Sequence, residues 1–314
     1  MQRILRIGTR DSQLAVWQAT LVQNLLKKSG VQSELVYIKS EGDIDLVTPL
    51  YEIGVQGVFT RSLDAALLNK RIDVAVHSMK DVPVQLAKGI QQAAVLKRAS
   101  YKDVFVFKNA EAEKEYSTFN IQHSTFVVAT SSIRRTAQWL NRFPNHKIEN
   151  LRGNVNTRLK KLSESNWHGA IFAAAGLERI GLRPENSIEL DWMLPAPAQG
   201  AIMIVCREGD EFAYQSCHQL NDDNTDICTK IERDFLKALL GGCSTPISAL
   251  AEIKKDQLSF QGNILSPDGK KKANVSYSLP VEEANGLGKK AAGELLKNGS
   301  EGILREIKNA GSQD

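Results

Sequence analysis

Apolar positions along the chain recur with two periods, so that short apolar runs alternate with amphipathic stretches. Residues 3–7 form a run suited to a strand, broken by Gly8-Thr9-Arg10-Asp11-Ser12. Leu14, Trp17, Leu21, Leu25 and Leu26 then fall on one face of a helix that Ser29-Gly30 closes. Residues 31–39 alternate as a second strand. Residues 40–58 fit neither period: they carry acids, Pro49 and glycines at 42, 54 and 57. A long polar loop hinged on glycines is expected to act as a lid. Residues 60–69 read as helix, and 72–76 as a strand that delivers His77-Ser78-Met79-Lys80-Asp81 ahead of Pro83.

A second unit begins near Tyr101. Residues 126–130 read as a strand, with Ser131-Ser132 as the cap of a helix over 133–143. A strand over 148–151 leads through Arg152-Gly153-Asn154 into a helix reaching Leu162. A strand over 169–174 precedes a short helix opened by Gly176. This alternation predicts parallel α/β sheets. Ile7-Gly8-Thr9 and Val128-Ala129-Thr130 each end a strand and start a Trp-bearing helix, which hints at two similar α/β lobes around a cleft. Residues 184–200, with Pro184, Pro195 and Pro197, read as a crossing between them. After a strand over 201–206, a helix over 225–240 runs into Gly241-Gly242-Cys243-Ser244-Thr245-Pro246, and a smaller α+β domain follows. The expected division is 1–99 with 200–217 as a discontinuous first lobe, 102–195 as the second, and 220–314 as the C-terminal domain.

At 314 residues there is room for each unit to have its own core. The net charge of +4 is too small to argue for nucleic acid or a membrane surface. Aromatic residues are 6% of the chain, too few to interleave with basic residues as an RNA reader would. No apolar run approaches the ~20 residues that span a bilayer, and no signal peptide is expected from the N-terminal residues. Cys206, Cys217, Cys228 and Cys243 make no zinc spacing and a poor disulfide framework, so a reducing, cytoplasmic setting without metal is expected.

Candidate chemistry gathers at the ends of the strands. Arg134, Arg135, Arg152, Arg158 and Arg179 cluster at βα junctions of the second unit, where ligands of parallel sheets bind. Cations at helix N-termini oppose the helix dipole, and five on one edge point to an anion held by guanidinium forks. Arg10 and Ser12 occupy the equivalent junction of the first unit. Lys80-Asp81 reads either as an exposed ion pair at a turn or as a carboxylate that stabilises a cation, beside a lysine that holds acid groups. His77 is open to a packed or a catalytic role. No phosphate loop or dinucleotide fingerprint is present, so a small multi-carboxylate ligand fits best. At Cys243 the preceding glycines leave a thiol uncrowded; a covalent role and a small buried hydrophobe both stay open.

Taken together, Val76-His77-Ser78-Met79-Lys80-Asp81-Val82-Pro83, Thr130-Ser131-Ser132-Ile133-Arg134-Arg135, Leu151-Arg152-Gly153-Asn154-Val155, Ala175-Gly176-Leu177, Pro197-Ala198-Gln199-Gly200 and Gly241-Gly242-Cys243 resemble, in order and over nearly the whole chain, the hydroxymethylbilane synthase (porphobilinogen deaminase) family. The resemblance implies two lobes like those of periplasmic binding proteins plus a C-terminal α+β domain. It implies a transferase that condenses four porphobilinogen molecules head to tail, with loss of ammonia, on a dipyrromethane cofactor held by Cys243 through a thioether. Water then releases the linear tetrapyrrole. It assigns Asp81 to catalysis, and Lys80, Asp81, Ser132, Arg134, Arg135, Arg158 and Gly176 to the cofactor. Arg10, Ser12, Arg152, Gly153, Arg179 and Gln199 go to the substrate, and Gln56 and Phe59 to the lid. A monomer is expected, with no nucleic-acid, membrane or metal partner.

One position departs from the family pattern: Gln56 stands where a lid lysine is usual, so it is given no carboxylate-pairing role. The rival reading is a two-lobed small-anion (carboxylate) binding protein, which would leave Gly241-Gly242-Cys243 without a purpose. An RNA-binding rival would predict strongly salt-dependent polynucleotide binding.

Overall fold

The computed structural model describes residues 3–39, 60–117, 125–239 and 245–310. The chain opens with β1 (Leu5–Thr9), α1 (Gln13–Lys28), β2 (Ser33–Tyr37), α2 (Arg61–Leu68), β3 (Val74–Ser78) and β4 (Ile90–Val95). It crosses into β5 (Asp103–Phe107), α3 (Ala110–Tyr116), β6 (Val127–Ala129), α4 (Ile133–Arg142) and β7 (Lys147–Glu149). Next come α5 (Val155–Glu164), β8 (Gly169–Ala173), α6 (Ala174–Glu178) and β9 (Ser187–Glu189). It then returns through β10 (Ile202–Arg207), α7 (Glu211–His218) and α8 (Asp223–Ala238). It ends in β11 (Ile247–Lys254), β12 (Gln257–Leu265), β13 (Lys272–Pro280), α9 (Leu287–Leu295) and α10 (Glu301–Ala310).

The first sheet has the order β2-β1-β3-β10-β4 and the second β7-β6-β8-β5-β9. The orders correspond strand for strand, as a duplicated unit would require. The expectation of parallel sheets holds only in part. β1, β2 and β3 pair in parallel, as do β6, β7 and β8, but β10 and β5 run antiparallel to their neighbours. Each antiparallel strand is the one that arrives from the other unit, and therefore enters its sheet from the opposite end. The two crossings are bonded to one another: Ala99 N–H donates to Gly200 O at 3.2 Å, and Leu96 N–H to Ile202 O at 2.9 Å. Gly200 has φ +88°, and a Cβ there would lie 2.7 Å from the carbonyl oxygens of Ala99 and Ser100, so only glycine allows this approach.

Local chemistry explains the helix limits. Ser12 caps α1 by accepting from Ala15 N–H, Lys27 and Lys28 sit in its last turn, and Gly30 takes φ +79° beyond it. The face that α1 buries is Ala19, Val22 and Leu26 with Gln18; of the stripe read from the sequence, Leu26 is buried and Leu21 and Leu25 pack against the same core, but Trp17 does not. Small residues let the helix lie close to the sheet, while Trp17 stays 37% exposed and turns toward the second lobe. Ser132 stands at the N-cap of α4 but makes no side-chain cap, and Gly176 lies inside α6 rather than opening it.

The three-stranded sheet β11-β12-β13 packs with α8 and α9 around Phe235, Phe260, Leu287 and Leu295. Glu232 of α8, wholly buried, fastens this unit to the crossings. Its carboxylate accepts from Arg98 Nη1 at 2.6 Å, from Ala198 N–H at 2.6 Å and from Ala251 N–H at 2.8 Å. A buried carboxylate so fully paired avoids the cost of an isolated charge.

Candidate active site

The carboxyl ends of β1 and β3 face those of β6, β7 and β8 across the junction. β3 ends in Ser78, whose hydroxyl receives Gln18 Nε2 at 2.9 Å, and the chain then tightens into a 3-10 turn over Met79–Asp81. The turn is fixed at its start by Met79 N–H donating to Ala201 O at 3.0 Å, and closed by Val82 N–H donating to Met79 O at 3.1 Å. Lys80 Nζ donates to Gln199 Oε1 at 3.1 Å. Burial pushes the Lys80 ammonium down to about 8, with Asp81 opposing the shift and Arg135 adding to it. Asp81, partly buried, has a carboxylate with no hydrogen-bond partner among the described residues.

The second lobe answers with Asp103, the first residue of β5, which the sequence reading passed over. Its carboxylate is 0% exposed and accepts from Arg134 Nη2 at 2.8 Å, Arg135 Nη2 at 2.7 Å and Gln199 Nε2 at 2.9 Å. Burial would raise this carboxyl, but Arg134 and Arg135 outweigh it and hold it well below the usual carboxylate range. Arg134 also donates to Leu194 O and Arg135 to Ile171 O. Both arginines, which the resemblance assigns to the cofactor, make these internal hydrogen bonds. Gln199 is bonded internally as well. Its side chain is fully buried between Lys80, Asp103 and Tyr101 O, so it orients the site from behind.

Other cations lie around this core. Arg152 is buried between β7 and α5, and Gly153 beside it takes φ +112°, a conformation L side chains resist. Asn154 caps α5 through Thr157 N–H, which places Arg158 in the first turns with its Nε donating to Gly153 O at 2.7 Å. Burial, together with Arg135 and Arg152, presses Arg158 down to about 10 against the pull of Asp81. Arg179 follows α6, donates to Gly200 O at 2.7 Å and lies 5.8 Å over the Trp17 ring; burial lowers it to about 10. A Cβ at Gly176 would lie 3.8 Å from the Leu14 side chain, and Asn156 donates to Gln13, so α1 meets the second lobe here.

Arg10 lies near His77, which is 7% exposed, has no partner for Nε2, and is pushed down to about 4 by burial and by Arg10. His77 is therefore packed and neutral at neutral pH. Cys206, Cys217 and Cys228 are free and buried, with burial raising their thiols to about 11, 12 and 12. Such thiols are inert core residues. The lid residues Gln56 and Phe59, and Cys243 with its glycines, lie outside the described residues. Among the described residues no His, Cys, Asp and Glu cluster could hold a metal ion, and no helix is long and apolar enough to cross a membrane.

Lys80, Arg134, Arg135 and Arg158 lie close enough to act on one another's charge, with Asp81 and Asp103 as the carboxylates among them. The donor set fits a ligand bearing several carboxylates. A family model described as "Porphobilinogen deaminase, dipyromethane cofactor binding domain" matches residues 5–215, and another described as "Porphobilinogen deaminase, C-terminal domain" matches residues 227–297. A porphobilinogen deaminase of Chlorobium phaeobacteroides (strain BS1) is 38% identical over 317 residues, covering 98% of this chain and 99% of its own. Solved structures that align include an ancestral cationic amino acid solute binding protein, at 15% identity and TM-score 0.43, covering 69% of this chain and 87% of that one. The methionine binding protein MetQ aligns at 16% identity and TM-score 0.41, covering 69% of this chain and 89% of that one. With the family models and the relative spanning the cleft and the C-terminal unit alike, the chain belongs to the porphobilinogen deaminase family.

Proposed function

We propose that the chain is a hydroxymethylbilane synthase, a transferase that joins four porphobilinogen molecules head to tail with loss of ammonia and releases a linear tetrapyrrole by hydrolysis. The observation that carries this is the gathering of cations at one carboxylate: Lys80, fixed by Gln199, and Arg158 both feel the charge of Asp81, whose carboxylate has no hydrogen-bond partner among the described residues. Each pyrrole of the substrate brings an acetate and a propionate, and such a cleft offers them cations.

Dipyrromethane, held on Cys243 when bound, supplies the pyrrole end onto which units are added. The chain's own residues do the rest. Asp81 accepts the pyrrole N–H of porphobilinogen and stabilises the positive charge that grows as ammonia leaves. Lys80, Arg10, Arg152, Arg158 and Arg179 hold acid groups, with Ser12 and Ser132 beside them. Asp103 and Gln199 keep Lys80, Arg134 and Arg135 in place, so the charges need no rearrangement at the moment of reaction. The three sheets support a division into 1–99 with 200–217, 102–195 and 220–314. Three free buried cysteines support a reducing cytoplasm.

The intact mass of the purified protein should exceed the polypeptide by two linked pyrrole units, and Cys243→Ser should lose that excess while Cys206→Ser keeps it. A bare polypeptide mass in folded, active protein would sink the cofactor assignment. A folded protein with a bare polypeptide mass and no turnover of porphobilinogen would favour the small-anion binding protein.

A pH effect follows from Lys80. Its ammonium is present below about 8 and lost above it. Because the folded value lies below the ordinary one, the charged form costs stability below about 8, and that cost fades as pH rises. Substrate affinity runs the other way. The KM for porphobilinogen should climb as pH passes about 8, and Lys80→Arg, whose charge does not titrate there, should flatten the climb. An equally steep climb in Lys80→Arg would assign the effect to another group.

A further inference from the structure

α8 does more than pack the C-terminal unit. Beside Glu232, which turns to Arg98 and the crossing, Arg233 turns to the Met79–Asp81 turn. Its Nη1 donates to Val82 O at 2.9 Å and reaches Met79 O at 3.4 Å, and its Nη2 donates to Pro83 O at 2.6 Å. Met79 O already accepts from Val82 N–H, but Val82 O and Pro83 O, where the chain leaves the 3-10 turn, receive their donors from Arg233. One planar guanidinium spans both, a match that its fork of N–H groups makes and an ammonium cannot. Val84, just beyond, packs against the core of the same C-terminal unit.

Within the turn, Lys80 is held through its side chain by Gln199, but the Asp81 carboxylate has no hydrogen-bond partner among the described residues. Where that carboxylate stands is therefore decided by its backbone. The backbone is gripped at its start by Ala201 O and at its end by Arg233. We propose that Arg233 is a positioning residue of the reaction. Reaching from α8, it fixes the carbonyls of the 79–83 turn and so sets the placement of the Asp81 carboxylate toward the substrate pyrrole. This rests on the role given to Asp81 above.

The test compares Arg233→Ala, Arg233→Lys, Asp81→Ala and the double variant Arg233→Ala/Asp81→Ala, each by intact mass, thermal unfolding, kcat and KM for porphobilinogen. Arg233→Ala should keep the bound pyrroles and lose roughly 10–100-fold in kcat, the scale of a catalytic group misplaced by about an ångström, with KM changed little. Arg233→Lys should recover part of kcat, since it restores the charge without the fork. The double variant should be no slower than Asp81→Ala alone, because both changes remove one function. Should Arg233→Ala lose its fold or its adduct, Arg233→Lys carries the same cycle with Asp81→Ala. A kcat within about twofold of the parent, or losses that multiply in the double variant, would overturn the proposal while leaving a slow Asp81→Ala in force. Near-normal turnover in Asp81→Ala would overturn the role of Asp81 itself, and the proposal with it.

Discussion

Asp81→Ala should purify folded and carrying its bound pyrroles, yet turn over roughly 10²–10³-fold more slowly, the scale of losing one preorganised charge from a closed site. The carboxylate makes no hydrogen bond to the protein among the described residues, so its removal breaks no internal network and stability should hardly change. The loss should fall on kcat, because the charge it answers develops only as ammonia departs. Asp81→Asn should be almost as slow: its amide can accept a hydrogen bond but supplies no charge. The measurement is steady-state turnover per adduct-bearing molecule, with the adduct counted by mass. A kcat near the parent value would remove Asp81 from the chemistry.

Asp103→Asn should act in the opposite way, through stability. Asp103 is fully buried against Arg134 and Arg135, which are 4% and 5% exposed. Removing its charge leaves two buried guanidiniums facing a neutral amide. Breaking such a pair costs about 3–5 kcal/mol, and a Tm lower by roughly 10 °C is expected. The pH dependence separates this from a packing defect. The folded carboxyl lies below its ordinary 3.8, so its stabilisation is present above that value and is lost as pH falls below it. The gap in Tm between parent and variant should therefore be widest near neutral pH and narrow in acid. A gap that is constant with pH, or a variant as stable as the parent, would show that the charge of Asp103 is not what holds the arginines.

The residues that face the cleft were legible where the signal is contiguous. The strand over β3 runs directly into Lys80-Asp81, and Arg152-Gly153-Asn154 reads at once as a junction, because turn, glycine and helix cap are neighbours in sequence. Asp103 was not legible for the converse reason. It opens Asp103-Val104-Phe105-Val106-Phe107, a strand buried throughout, and its partners lie on α4 and on the returning crossing. Whether an arginine at a helix N-terminus serves a ligand or a buried carboxylate depends on such distant partners. That is why the sequence alone does not show the bonds of Arg134 and Arg135 to Asp103. The direction of β5 and β10 was hidden likewise, since strand periodicity is the same in both directions. Arg233 carried no sequence signal: it lies in an amphipathic helix, and its partners are backbone carbonyls, which every residue has.

The two crossings that lie side by side, with Ala99 bonded to Gly200 and Leu96 to Ile202, have a mechanical consequence. A single connecting strand lets two bodies swivel in any direction. A paired ribbon bends readily across its face but resists being sheared along its length, because sliding would break every rung at once. Room for a lengthening ligand is therefore expected to come from rotation about this ribbon rather than from translation of one lobe past the other. Such a motion widens the mouth of the cleft most and its floor least. The floor is where Lys80, Gln199 and Asp103 are joined, so the charged groups nearest the axis keep their spacing while those at the rim change theirs.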